Sequence, residues 1–193
     1  MGKLVPQNPN DEPASELLKY IAAEKCNRLK TRKLKKKRLL EIKSEEKTFG
    51  LPNGWEWCKS NNLITLMDAG WILACPPEPS PSDNIWGILK TTAVQARKYR
   101  QHENKVLSSN KEPKPQFEVR TGDILITHAG PKNRVGISCL VQTTRPKLMI
   151  SDKIIRFHLV EVGMYESYVS LYLNSGATAK YLEAEKPDEY ISG

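Results

Sequence analysis

The chain has 193 residues, 39% of them apolar and 27% charged, with a formal net charge of +8; this suffices for one well-buried domain of about 130–150 residues plus an accessory segment. No run nears the roughly 18 apolar residues of a membrane span, and Met1 to Asn8 lacks the apolar centre of a signal peptide, so a globular, cytoplasmic protein without membrane contact is expected. Cys26, Cys58, Cys75 and Cys139 form no Cys-x-x-Cys pair and, with His102, His128 and His158, give no zinc-ligand spacing, so they are read as structural and no metal site is expected.

Residues 1 to 10, with Pro6 and Pro9, read as an extended lead-in. Asn10 or Asp11 offers an N-cap, Glu12 and Glu16 suit the positive end of a helix, and Pro13 is acceptable in a first turn. In the helix that follows, Leu17, Leu18, Ile21, Ala22, the stem of Lys25, and Leu29 fall on one stripe of about five turns. Nothing near it in sequence covers that stripe. A partner helix is one cover, and packing on its own domain is the alternative.

From Arg28 to Arg38 stand eight basic residues and no acidic one, which leaves 22 basic residues to balance the 22 acidic ones elsewhere. A polyanion-binding face must therefore be a local patch. The run itself is either a solvated helix end or a DNA-backbone contact.

Gly50, Pro52 and Gly54 interrupt helical structure beside Trp55 and Trp57, which marks a domain boundary. A short apolar element, Leu63 to Met67, precedes Gly70-Trp71 and a loop from Pro76 to Asp83 with four prolines, expected to be exposed and semi-rigid. Trp86 to Gln95 begins as a strand and ends in Thr91, Thr92 and Gln95, which either cap an element locally or face a ligand. Residues 96 to 118 read as polar turns.

Gly122 to Gly136 is the most informative stretch. The turn pair Gly122-Asp123 leads into Ile124-Leu125-Ile126, an apolar run without helical period that predicts a buried strand. His128 to Arg134 has loop chemistry, and Val135, Ile137, Cys139 and Val141 alternate as a second, half-buried strand. A loop held between strands presents Lys132, Asn133 and Arg134 together. Further on, Lys147 to Val162 alternates as another strand, and Tyr165 to Asn174 has helical spacing through Tyr168, Val169, Tyr172 and Leu173, stopping before Gly176. Glu185 to Gly193 closes on no evident element and looks interrupted.

No P-loop, Gly-x-Ser-x-Gly elbow, His-Glu-x-x-His or paired-carboxylate signature is present. The best enzyme hypothesis, Cys139 as nucleophile with His128 or His158 as base, rests on no spacing rule. Nucleic-acid recognition asks for less: Lys and Arg neutralise phosphates, while Arg, Lys, Asn and Gln make paired hydrogen bonds to base edges.

Gly2-Lys3-Leu4-Val5-Pro6-Gln7-Asn8-Pro9-Asn10-Asp11-Glu12-Pro13-Ala14, within Met1–Gly54, resembles the end of a central conserved segment in specificity subunits of type I restriction–modification systems. Leu51-Pro52-x-Gly54-Trp55-x-Trp57 is similar to the entry to the target-recognition domain that follows it. Trp86 to Gln95, and Gly122 to Gly136 continued by Ser151-Asp152-Lys153-Ile154, resemble one subtype of that domain. In this subtype an arginine is expected at His128 and a Ser-Pro where Ile72-Leu73 stand. An arginine-to-histidine change removes a permanent charge and a forked donor, roughly 1–3 kcal/mol of discrimination where it reads a guanine.

The resemblance implies a DNA sequence reader that performs no chemistry. It implies no cofactor in this chain, with S-adenosylmethionine, ATP and Mg serving partner subunits that methylate adenine and cut. The expected architecture is α/β, more narrowly α+β. Residues 1–49 form a conserved spacer region with the amphipathic helix and basic run. Residues 50–193 form a target-recognition domain with a twisted, largely antiparallel sheet. The DNA-facing candidates are Lys90, Thr91, Thr92, Gln95, His128, Lys132, Asn133 and, foremost, Arg134, with surface solvation as the alternative for each. Leu17, Leu18, Ile21, Ala22 and Leu29 are the partner-helix candidates. Expected partners are double-stranded DNA and the modification and restriction subunits, with a homodimer if the chain is a half-length subunit. The rival reading is a fragment or truncated subunit that binds modification subunits without reading DNA.

Overall fold

The computed structural model describes residues 6–31, 40–47, 49–71, 74–130, 132–161, 166–176 and 178, with the backbone alone for 28–31 and 132. The expectations for Leu29, the basic run, Ile72-Leu73, the side chain of Lys132 and the final residues fall outside the described atoms. Two compact units are present, residues 1–65 with 159–164 and residues 66–158 with 165–193. The α+β class expected from the sequence is what the chain adopts.

The described elements are α1 (Ala14–Thr31), α2 (Ser60–Leu63), β1 (Ile64–Ala69), β2 (Gly87–Leu89), β3 (Val94–Gln95), β4 (Lys98–Tyr99), β5 (Asn104–Val106), β6 (Ile124–Thr127), β7 (Ser138–Leu140), β8 (Leu148–Met149), β9 (Ile154–Leu159) and α3 (Glu166–Leu173). Single 3-10 turns occupy Ser44–Glu46, Thr91–Ala93, Pro115–Phe117 and Lys132–Arg134.

In the first unit α1 begins one residue after Pro13, later than the cap expected at Asn10 or Asp11. Those two residues belong to a preceding turn, in which the Asn8 amide donates to the Asp11 carboxylate at 2.9 Å. The first helical N–H, that of Ala14, donates to the Gly54 carbonyl at 2.8 Å, so a distant loop satisfies a donor that helix starts leave open. Ile21 is 1% exposed, and Leu17, Leu18 and Ala22 are half-buried. The unit therefore covers the middle of the stripe itself, and burying Ile21 contributes about 1.5–3 kcal/mol. Buried Asn62 exchanges hydrogen bonds with the backbone of Leu40 at 3.0 and 2.9 Å, fastening the 40–47 segment to α2.

The second unit carries the sheets. Strands run in the order β1-β9-β6-β7 in one sheet and β5-β2-β8 in another, while β3 and β4 pair alone. β6 pairs antiparallel with β7, placing Leu125 opposite Cys139, and with β9, placing Leu125 opposite Arg156. β2 pairs antiparallel with β5 and parallel with β8, so the sheets are largely, not wholly, antiparallel. The core gathers Leu89, Ala93, Val94, Val119, Leu125, Cys139, Val141, Leu148, Ile150 and Ile154. Gly70 is needed where β1 ends, because a Cβ there would lie 2.0 Å from the Ile150 carbonyl oxygen.

Four expectations change. The strand after the central loop is confined to Ser138–Leu140, since Gly136 at φ 87° turns the chain just before it. It is not half-buried: Ser138 and Cys139, on opposite faces, are both buried, with Asn174, just past α3, bonded to Ser138. The polar stretch after Gln95 contains β4 and β5, whose short lengths hide any alternation. On α3, Tyr168 and Tyr172 are exposed while Ser170 is buried, and the Ser170 carbonyl accepts from the amide of Asn174, the residue that bonds Ser138. The proline-rich loop is exposed as expected, and Ser80 pins it through its hydroxyl to the Ile85 carbonyl at 2.7 Å.

Candidate nucleic-acid interface

Two segments distant in sequence meet on the second unit. One is the turn Thr91–Ala93 running into β3, seated on the core by Ala93 and Val94, both 0% exposed. The other is the turn Lys132–Arg134 in the β6–β7 connection, where the Thr127 hydroxyl donates to the Arg134 carbonyl and the Gly136 N–H donates to the Thr127 carbonyl at 2.8 Å.

Arg134 joins them. Its guanidinium donates to the carbonyls of Thr91 at 2.8 Å and Val94 at 2.9 Å, and to the Gln95 side-chain oxygen at 3.2 Å. The Gln95 amide in turn donates to the Thr92 carbonyl at 2.6 Å. All these acceptors are neutral. The half-buried guanidinium is thus oriented by the fold while its positive charge meets no carboxylate among the described residues. Its geometry is that of a clamp holding two turns in register.

The other candidates divide around this clamp. The Thr92 hydroxyl donates to Glu103 at 2.7 Å and Lys90 pairs with the same carboxylate at 3.1 Å. The Thr92 bond first, then Lys90, hold Glu103 below its ordinary carboxylate pKa. Asn133 is exposed beside Arg134. His128 stands apart: its Nε2 lies 2.5 Å from the Asp152 carbonyl oxygen, and its backbone N–H donates to the Lys153 carbonyl at 3.1 Å. An arginine there would lose this compact contact. The structure therefore brings together Lys90, Thr91, Thr92, Gln95, Asn133 and Arg134, and the backbone of Lys132, and leaves His128 at the start of the same β6–β7 connection, bonded to the segment between β8 and β9.

A second charged cluster was not anticipated. Arg156 on β9 donates to Asp68 at 2.9 and 2.5 Å and to the carbonyls of Glu118 at 2.7 Å and Gln116 at 2.9 Å. Its Nη1 also lies 3.5 Å from Asp123, whose other oxygen lies 3.2 Å from His158 Nε2. Burial raises the Asp123 pKa, against the opposing pull of the Arg120 N–H and of Arg156. Gly122-Asp123 reads as a turn in sequence, yet Asp123 is 0% exposed.

Among the described residues Cys139 is not set up as a nucleophile. Cys139 packs in the core with 0% exposure, and burial pushes its thiol up to about 12, which suppresses the thiolate. Among the described residues no group of three or more His, Cys, Asp or Glu side chains is placed to hold a metal ion.

The α+β unit thus sets two polar turns beside a guanidinium bonded only to neutral acceptors. Comparison with known proteins gives this arrangement its context. The chain is 61% identical over 187 residues to the specificity subunit of the type I restriction enzyme EcoEI from Escherichia coli, covering 96% of this chain and 32% of that subunit. It is 56% identical over 69 residues to the EcoAI specificity subunit from Escherichia coli, covering 35% of this chain and 12% of that subunit. No family model matches. The chain is thus related to type I restriction enzyme specificity subunits, as its motifs led one to expect, and spans about a third of the length of the EcoEI subunit.

Proposed function

We propose that this chain is a DNA-reading segment of a type I restriction–modification specificity subunit, which binds duplex DNA by sequence and performs no chemistry itself. The observation that carries the reading is the 61% identity along 187 residues to a protein named for specificity in such a system. The clamped turn pair supports it physically, because a guanidinium held by neutral acceptors keeps a positive potential beside Asn133 and Thr92, side chains able to bond base edges or phosphates. On this reading residues 50–193 recognise the target and residues 1–49 serve as spacer. Partner modification and restriction subunits in the cytoplasm methylate with S-adenosylmethionine and cut with ATP and Mg.

The test is selection of a randomised duplex pool by the purified chain at two salt concentrations, followed by sequencing of the retained fraction. Enrichment of a short motif is expected; salt-sensitive retention without a motif contradicts sequence reading.

A second reading, a module that binds modification subunits without reading DNA, has one observation in its favour. The first unit holds a cavity of about 370 Å³ lined by Leu18, Ile21, Leu40, Ile42 and Trp57 among others. Ile21 is already buried, so Leu18→Asp is the cleaner variant. Loss of co-purification with modification subunits, with no motif enriched by the wild-type chain, would favour this reading over the first.

A further inference from the structure

The turn between β3 and β4 carries two cations outside the candidate set. Ala96 and Arg97 form its tip and Lys98 opens β4; the side chains of Arg97 and Lys98 are exposed and have no hydrogen-bond or ion-pair partner among the described residues. Arg97 adopts the left-handed conformation at φ 61°, a region that residues with a Cβ occupy only when their surroundings hold them there.

The surroundings here do so. Val94 pairs with Tyr99 and Gln95 with Lys98 across the hairpin, and the Arg97 N–H donates to the Ser138 carbonyl at 3.1 Å. Arg134 grips the same hairpin at the Val94 carbonyl and the Gln95 side chain. Lys147, also left-handed at φ 60°, makes an instructive contrast. Its N–H is taken by Glu118 at 2.6 Å and its ammonium by the Asn84 carbonyl at 2.9 Å, so that bend serves the fold at both ends. At Arg97 only the backbone is fastened.

We propose that this hairpin tip is a phosphate-backbone contact for duplex DNA, Arg97 and Lys98 each neutralising one phosphate. The inference rests on the DNA-binding reading above and adds to it a sequence-independent anchor beside the clamped turns. The backbone that carries these cations is held in place, so binding orders only their side chains, and phosphate contacts fix register without carrying sequence information.

The experiment compares the full wild-type chain with the double variant Arg97→Gly/Lys98→Gln on a labelled duplex bearing the selected motif, between about 50 and 200 mM salt. Glycine accepts the φ of Arg97, so an unchanged thermal midpoint is expected. Each lost phosphate contact lowers the slope of log Kd against log salt by about 0.9, so a decrease of roughly 2 is expected with the selected motif unchanged. An unchanged slope in the folded variant overturns the proposal, and so does a changed motif, which would make these residues base readers. Should the double variant fail to fold, Lys98→Gln alone is expected to lower the slope by about 1, and no decrease overturns it. If the wild-type chain enriches no motif yet the slope still falls, sequence reading fails and the hairpin contact stands. No duplex binding at all overturns both.

Discussion

Arg134 and Arg156 sit in the same unit, each bonded to two backbone carbonyls, and they do opposite things with their charge. Arg156 closes on Asp68 and buried Asp123, so its cluster is internally compensated and binds the middle of β9 to the segments around it. Arg134 closes only on neutral oxygens, so the same fork geometry orders two turns and leaves a net charge at their junction. A buried arginine with its carboxylates belongs to the fold. One held by amides and carbonyls keeps its charge unneutralised and contributes it to the potential around it.

The contrast is sharpest in stability. Arg156→Ala strands Asp123 without its guanidinium, and breaking such a buried pair costs about 3–5 kcal/mol. A fall of roughly 6–20 °C in thermal midpoint is expected by calorimetry at neutral pH; a fall below 2 °C would place the cluster's importance elsewhere.

Arg134→Ala removes three charge-assisted contacts at a half-buried position and is expected to cost about 1.5–3 kcal/mol. Unlike the Arg156 change it should also weaken duplex binding in the variant that remains folded. Arg134→Lys keeps the charge but not the fork, so it should restore part of the affinity and little of the rigidity, seen as unaltered salt dependence with a blurred selected motif. Equal motif sharpness in wild type and Arg134→Lys would remove the clamp from the account.

The smallest effect concerns reactivity. Native Cys139 should resist alkylation at pH 8 and label only after denaturation, because its thiol is buried and its pKa pushed up to about 12. Peptide mapping after brief treatment checks this, and rapid native labelling would reopen a nucleophilic role.

Much of the fold was legible because it is written in local apolar pattern. Ile124-Leu125-Ile126 has strand composition and becomes β6, and the stripe from Leu17 to Ala22 becomes the buried side of α1. The surface was legible as residue types, since Thr91, Thr92, Gln95 and Asn133 are side chains of recognition chemistry. What each does was not. Arg134 finds its acceptors about 40 residues away, and Arg156 finds Asp68 88 residues away. No periodicity reports such pairings, so Asp123 reads as a turn residue and Arg156 as an ordinary member of an alternating strand. Likewise Arg97 precedes, and Lys98 opens, one of two paired two-residue strands, too short for alternation to show. A side chain's type can be read locally, but whether its hydrogen bonds face inward depends on contacts that only the fold supplies.

The central claim is that the surface held together by Arg134 reads bases, and the most direct measurement compares the motif selected from a random duplex pool by the wild-type chain with that selected by Asn133→Ala. Asn133 is exposed beside the clamp, so its loss is expected to relax preference at one position, roughly 1–3 kcal/mol of discrimination, while leaving the salt slope and thermal midpoint in place. An identical motif, retained at every position as well as by the wild type, would contradict the assignment of base reading to this turn.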